Sequence, residues 1–186
     1  MSTNIESIAS DRGIAADEEL ARLFNLFRLC NLNVRYYGCR AEKYERLMRG
    51  LHVAAGIVSA VALFIILLID SKDQYAGKVK LTAAALTGMA TVLTGLAPLT
   101  GWSTKGAQMC KLQVLYSHLF GQVEAVITQI RRDGLTAGNI GASKQVHEAY
   151  RQMHALDELE PDQKLIDRED KKVREAFPAD YLYSHL

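Results

Sequence analysis

Apart from His52 and the terminal Asp70, the stretch from Leu51 to Asp70 (LHVAAGIVSAVALFIILLID) has no ionisable side chain. A core helix of a soluble protein is apolar along one stripe only, whereas this stretch is apolar on every face. About 20 residues at 1.5 Å each give a helix of roughly 30 Å, the thickness of the hydrocarbon core of a bilayer. A secretory signal would start near residue 1 and would be shorter. The stretch therefore predicts a membrane-spanning helix.

A second uncharged stretch runs from Leu81 to Trp102 (LTAAALTGMATVLTGLAPLTGW) and is richer in Thr and Gly. The connection between the two stretches is short and polar, which favours a helical hairpin with spans at about 51–70 and 81–102. Trp102 suits a membrane–water interface. Lys and Arg are in excess outside the connection, so we expect both termini in the cytoplasm and the connection on the other side.

Apolar residues alternate at spacings of three and four before the first predicted span and after the second. This spacing is typical of helices that pair in a coiled arrangement. We therefore expect two long helices that continue the spans and pair antiparallel as a cytoplasmic stalk. The sequence leaves open whether they pair within one chain or between subunits. The predicted stalk interface consists of Leu23, Phe27, Val34, Tyr37, Tyr44, Leu112, Tyr116, Leu119, Val123 and Val126.

Glycine and capping residues divide the rest of the chain. The sequence RRDG predicts a helix that ends with Gly134 as its cap. Ser143 is predicted to cap the following helix. The predicted organisation is a flexible N-terminal tail (1–16), the two-span hairpin with its stalk (17–133), a Gly-rich linker (134–143) and a C-terminal helical segment (144–186).

The second span carries a face of small and hydroxyl residues that includes Thr87, Thr91, Thr94 and Pro98. Such residues let membrane helices approach closely and hydrogen-bond to one another, so this face can be a packing surface. Alternatively, several copies of the chain present the face to a water-filled pore. Pro98 frees the Thr94 carbonyl and bends the helix, which fits both interpretations.

Charge and residue types argue against several function classes. A net charge of +1 is unlike the basic balance of nucleic-acid-binding domains. The three cysteines lack a CxxC spacing, which favours free thiols in a reducing compartment. His147 and His154 are seven residues apart, whereas metal ligands on a helix prefer spacings of three or four. We therefore expect neither an enzyme nor a cofactor or metal site.

The order of these segments resembles the SLATT superfamily, the two-transmembrane effector modules associated with bacterial nucleotide-based conflict systems. The resemblance is carried by RYYGCRAEKYERLMRGLHVAAGIVSAV, by LAPLTGW at the end of the second span, by KGAQMCKLQVLYSHLFGQVEAVITQI and by HEAYRQMHALDELEP. It covers roughly residues 20–165. It implies a pore-forming or membrane-perturbing effector that kills or arrests the infected cell, with no catalytic residues to transfer. Because the chain has no room for a cyclic-nucleotide sensor domain, we expect a separate sensor or regulator protein as a partner.

Two functional hypotheses follow from these patterns. In the first, an all-α, multi-pass protein of the bacterial inner membrane forms a homo-oligomer that permeabilises the membrane in anti-phage (abortive infection) defence. Several chains are needed because two spans cannot enclose a lumen. In the second, the protein is a non-conducting membrane scaffold or channel subunit whose cytoplasmic stalk binds a partner protein. Membrane lipid is a partner in both, and nucleic acid in neither.

Overall fold

The computed structural model describes residues 3–68, 76–99, 101–156, 160–178 and 181 of the 186-residue chain. Throughout these ranges the regular structure is helical and no strand occurs, so the predicted all-α class is confirmed. The helices are α1 (Thr3–Leu68), α2 (Ala76–Leu99), α3 (Trp102–Asp133), α4 (Ala137–Ala155) and α5 (Gln163–Ala176). The chain divides into two compact units, unit 1 (Met1–Gly38 with Cys110–Leu186) and unit 2 (Cys39–Met109).

In unit 1, α1 and α3 pack along a buried seam. The rings of Phe27 and Phe120 lie 4.3 Å apart between centroids. Farther along α1, a Cβ atom added to Gly38 would come within 2.9 Å of the Gln113 amide nitrogen. Since the residue number falls on α3 as it rises on α1, the two helices are antiparallel. The buried cluster consists of Leu23, Phe24, Leu26, Phe27, Cys30, Leu119, Val123, Val126, Ile127, Ile130 and Val146.

Helix α5 is fixed to α1 at its start. The Asp162 carboxylate caps α5 by accepting a hydrogen bond of 3.2 Å from the Leu165 backbone N–H. The Asp162 backbone N–H in turn donates to the hydroxyl of Tyr36, at 3.0 Å. Val173 is fully buried in the last turn of α5. The helix therefore belongs to the core of unit 1, although its sequence is heavily charged.

Two aromatic residues after α5 close the same core. Phe177 meets Phe27 edge to face, with ring centroids 5.1 Å apart. Tyr181 stacks on Phe24 at 6.1 Å and meets Phe177 at 5.3 Å. These contacts join the end of the chain to the first half of α1 through aromatic burial.

The junction between α3 and α4 follows ordinary capping chemistry. Gly134 adopts a φ of 71°, a left-handed conformation that costs glycine little. Its N–H donates to the Ile130 carbonyl at 2.9 Å, as expected for the predicted cap. Two residues later, the Thr136 side chain accepts from the Asn139 N–H at 3.2 Å and starts α4.

The predicted linker 134–143 is shorter in the structure, where only Gly134–Thr136 separate α3 from α4. Thr136, rather than Ser143, caps α4, although both residue types are favoured at N-caps. Ser143 lies inside α4 with 1% of its surface exposed, and its hydroxyl donates to the Glu19 carboxylate.

Helix α1 also starts earlier than expected, at Thr3 instead of Asp17. The segment 1–16 contains no proline and only one glycine, Gly13, so nothing in its sequence stops the helix. The predicted tail therefore overlaps the beginning of α1.

In unit 2, small side chains are buried on both α1 and α2, from which we infer a seam between the two helices. Four alanines are buried, Ala55 and Ala62 on α1 and Ala83 and Ala90 on α2. Within each helix they are seven residues apart, two helical turns, so they lie on one face. Alanines at such a seam let the two backbones approach closely.

Candidate functional site

The large apolar side chains of unit 2 lie mostly outside the alanine seam. Among the described residues, one helical stretch, within Ala15–Leu67, is long and apolar enough to cross a membrane by length and composition. Only 11% of its most apolar 18-residue window is buried. A core helix of a soluble protein would be mostly buried, so this surface needs another apolar environment. The exposed large apolar side chains described in unit 2 are Leu47, Val53, Ile57, Val61, Leu63, Phe64, Ile66, Leu67, Leu81, Met89 and Val92.

Three hydroxyl groups of α2 are satisfied within the helix. The Thr87 hydroxyl donates to the Ala83 carbonyl, Thr91 to Thr87 and Thr94 to Ala90, each at 2.9 Å. No donor is therefore left unpaired if these side chains face lipid or another helix.

The three threonines do not occupy equivalent positions around α2. Thr87 and Thr94 each follow a buried alanine by four residues, which places them about 40° from the seam. Thr91 follows Ala90 by one residue, about 100° away. All three threonines are exposed. Pro98 belongs to α2, but its side chain is outside the described part of the chain. The predicted face is thus divided into two residues beside the seam and one farther around the helix.

The structure brings most of the predicted stalk residues together within one chain. Leu23 and Phe27 of α1 share a buried cluster with Leu119, Val123 and Val126 of α3. The sequence left open whether the two helices pair within one chain or between subunits. In unit 1 they pair within one chain.

The remaining predicted stalk residues differ in burial and in the unit to which they belong. Tyr37 stacks on Tyr116 and Leu112 is buried, whereas Val34 is only partly buried. Tyr44 belongs to unit 2, where its Cβ lies 3.4 Å from the position that a Cβ of Gly106 would take. The predicted interface is therefore divided between the two units.

A groove of about 750 Å³ in unit 1 was not predicted from the sequence. It lies between residues 15–22 of α1 and helix α4, and both acidic and basic side chains line it. Glu19 accepts the Ser143 hydroxyl and lies 3.8 Å from Arg22. The partners Glu19 and Ser143 are 124 positions apart, so no local pattern points to the groove.

Two buried groups in unit 1 have shifted pKa values without forming a reactive site. Burial raises the pKa of the Cys30 thiol to about 12, so this thiol stays protonated and unreactive. For Glu169, burial raises the pKa, but hydrogen bonds from Lys172 and Arg168 outweigh it, and the pKa lies below its usual value. The Lys172 ammonium is 2.8 Å from the carboxylate and the Arg168 Nε is 3.0 Å away.

In the described ranges, no three His, Cys, Asp or Glu side chains come together as metal ligands could. The main features of unit 2 are a wide apolar surface, a seam of buried alanines and an exposed threonine, Thr91, away from that seam.

Comparison of the chain with protein-family models, with curated proteins and with solved structures finds no match. The resemblance to the SLATT superfamily thus stays a prediction from the sequence. The functional interpretation rests on the geometry of the two units.

Proposed function

We propose that this protein is an oligomeric two-transmembrane effector that permeabilises the bacterial inner membrane. The observation that carries the proposal is the exposed apolar surface around the alanine seam of unit 2. Burial of apolar surface stabilises by about 25 cal/mol per Å², so side chains such as Phe64 and Leu67 strongly favour transfer into lipid. The second span is α2, whose 24 residues give a helix of about 36 Å.

A pore made by this protein requires several copies. The alanine seam closes the space between α1 and α2, and two helices do not enclose a lumen. Thr91, turned about 100° from the seam, is the residue that supports a lumen-lining role for α2. Copies arranged with this face inward would present a hydroxyl at mid-span to water.

The biological setting of the proposal comes from the SLATT resemblance. Effectors of that superfamily act in anti-phage defence, where membrane permeabilisation arrests the infected cell. In this setting a separate sensor or regulator protein triggers the assembly, and both termini lie in the cytoplasm. Unit 1 offers the surface that such a partner would contact.

A non-conducting membrane scaffold is the second candidate. It is favoured by the internal hydrogen bonds of Thr87, Thr91 and Thr94, since satisfied hydroxyls need no water-filled lumen. In the scaffold, the hydroxyl face packs against a neighbouring helix and unit 1 binds a partner protein.

Substitution of Thr91 separates the two candidates. Thr91→Leu adds an apolar branch at mid-span, where a hydrophobic constriction stops conduction by dewetting. We expect the current through reconstituted bilayers to fall sharply while the oligomer still forms. If Thr91 packs against another helix, Leu forces the backbones apart and assembly fails first. Thr91→Ser keeps the hydroxyl and is the control; an intact Thr91→Leu oligomer with full conductance would exclude this face as the pore lining.

Labelling from the periplasm tests the proposed topology. In a chain whose native cysteines are replaced by Ser, Ala76→Cys at the start of α2 should react with an impermeant maleimide in intact cells. Ala137→Cys, at the exposed start of α4, should react only after the cells are lysed. Labelling of Ala137→Cys in intact cells would reverse the orientation.

A further inference from the structure

Two lysines of unit 2 lie on the same side of a helix pair. Tyr44 of α1 and Gly106 of α3 face each other, with 3.4 Å between the Tyr44 Cβ and the Cβ position of Gly106. Lys43 and Lys105 are the residues that precede these two. In an antiparallel pair, the preceding residue on each helix is rotated by about 100° toward the same side. The two ammonium groups therefore share one surface.

The charge of these two lysines is not neutralised locally. Lys43 and Lys105 are exposed, and neither forms an ion pair with any residue that the structure describes. The neighbouring arginines differ in this respect. Arg46 is 2.5 Å from the Glu42 carboxylate and Arg49 is 2.6 Å from that of Glu45. No carboxylate of the described chain therefore offsets the charge of the two lysines by direct contact.

Apolar and amphipathic side chains accompany the lysines on this surface. Trp102 precedes Lys105 by three residues and Leu47 follows Lys43 by four, so each lies on the same helix face as its lysine. Leu47 is 40% exposed. Four residues farther along α1, at Leu51, the uncharged stretch begins. Positive charge beside an indole ring and an apolar helix is the composition of a membrane–water interface.

We infer that Lys43 and Lys105, together with Trp102, form a binding site for the headgroup of an anionic phospholipid in the cytoplasmic leaflet. This inference rests on the membrane insertion proposed above. The phosphodiester oxygens accept hydrogen bonds from the two ammonium groups, and the acyl chains lie along the apolar surface of α1. Such a site favours lipids of negative charge, because each Lys near an anionic membrane surface raises the affinity for the membrane about fivefold.

The single tryptophan of the chain gives a local readout of lipid binding. The full-length protein is reconstituted into vesicles that contain brominated phosphatidylglycerol or brominated phosphatidylcholine at equal mole fraction. We expect the brominated phosphatidylglycerol to quench the fluorescence of Trp102 more strongly, with a relative affinity severalfold above that of phosphatidylcholine. In the Lys43→Gln/Lys105→Gln variant the ratio of affinities should fall to about one. In the wild type, 1 M salt should also lower this ratio of affinities.

Lys80→Gln is the matched control, because Lys80 is exposed near the start of α2, about 28 Å from the end of that helix at Leu99, which precedes Trp102 in the chain. It should leave the quenching ratio unchanged. Equal quenching by the two lipids in the wild type, or an unchanged ratio in the double variant, would overturn the lipid site while leaving the membrane proposal intact. Absence of quenching by either lipid, with protein that does not float with the vesicles, would instead refute the proposed function itself.

Discussion

The ring of Tyr37 stacks on the ring of Tyr116, with centroids 5.5 Å apart and an angle of 9° between the ring planes. The two tyrosines come from the antiparallel helices α1 and α3, and both are almost fully buried. Aromatic pairs of this kind contribute about 0.5–1.5 kcal/mol beyond the burial of their area. The stacked pair therefore helps to fix the register of the two helices.

Removal of a side chain from this seam should destabilise unit 1. Leu119 is fully buried, and Leu119→Ala should cost about 2–5 kcal/mol through lost burial and a cavity. Val114, on the same helix, is 67% exposed, so Val114→Ala should cost less than about 0.5 kcal/mol. Thermal unfolding in detergent, followed by circular dichroism, compares the two. Equal shifts in the midpoint would mean that the α1–α3 seam is not a core.

Alanine substitutions at two glycines, one within α3 and one directly after it, should change the folding stability in opposite directions. Gly134 has a φ of 71°, where a Cβ atom costs roughly 1–2 kcal/mol. Gly121 lies within α3 with open space around it, so Gly121→Ala should stabilise by about 0.5–1 kcal/mol. The unfolding midpoint should therefore fall in Gly134→Ala and rise in Gly121→Ala. A rise in both variants would argue against the left-handed cap.

The contact between Ser143 and Glu19 should couple α4 to α1. Ser143→Ala removes the donor to a partly buried carboxylate, and we expect a loss of about 1 kcal/mol. A double-mutant cycle with Glu19→Ala should give a coupling energy of similar size. Glu148→Ala and Ser143→Ala form the control cycle, since Glu148 contacts Arg151 instead. Additive effects in the first cycle would show that the hydrogen bond contributes nothing.

The burial of Cys30 should control both reactivity and alkaline stability. With its pKa raised to about 12, the thiol of Cys30 should resist maleimide at pH 8 in the folded protein, while the exposed Cys110 reacts rapidly. The unfolded chain loses the Cys30 proton near pH 9, earlier than the folded chain. Folding stability should therefore decline as the pH rises from about 9 to about 12. Rapid labelling of Cys30 without denaturant would contradict the buried position, and Cys30→Ala should lose this part of the pH dependence.

The stripe on α3 was predictable because α3 buries a single face. Its residues Met109, Leu112, Tyr116, Leu119, Val123, Val126 and Ile130 are all buried. The stripe on α1 was less complete. Phe24 and Tyr36 lie off the stripe and are buried, because Tyr181 and the start of α5 cover them. A heptad pattern describes contact with one partner helix, and α1 has additional partners that are far away in sequence.

The candidate site, like the helices, could be predicted only in part from the sequence. The apolar character of residues 51–68 is evident from the sequence alone, and so is the small size of the four alanine side chains. The position of Thr91 relative to the seam required knowledge of which alanines are buried. The adjacency of Lys43 and Lys105 required the facing pair Tyr44 and Gly106, since no local pattern connects positions so distant in the chain.

The alternation of three and four residues along α3 also limits how the length of this protein can change. Insertion of one residue rotates everything beyond it by about 100° and turns the buried stripe toward solvent. Insertion of seven residues completes about two turns and restores the stripe to within about 20°. The facing part of α1 would have to lengthen by the same amount to keep its partners opposite. Evolutionary descendants of this chain should therefore vary here in steps of seven, with paired changes on both helices.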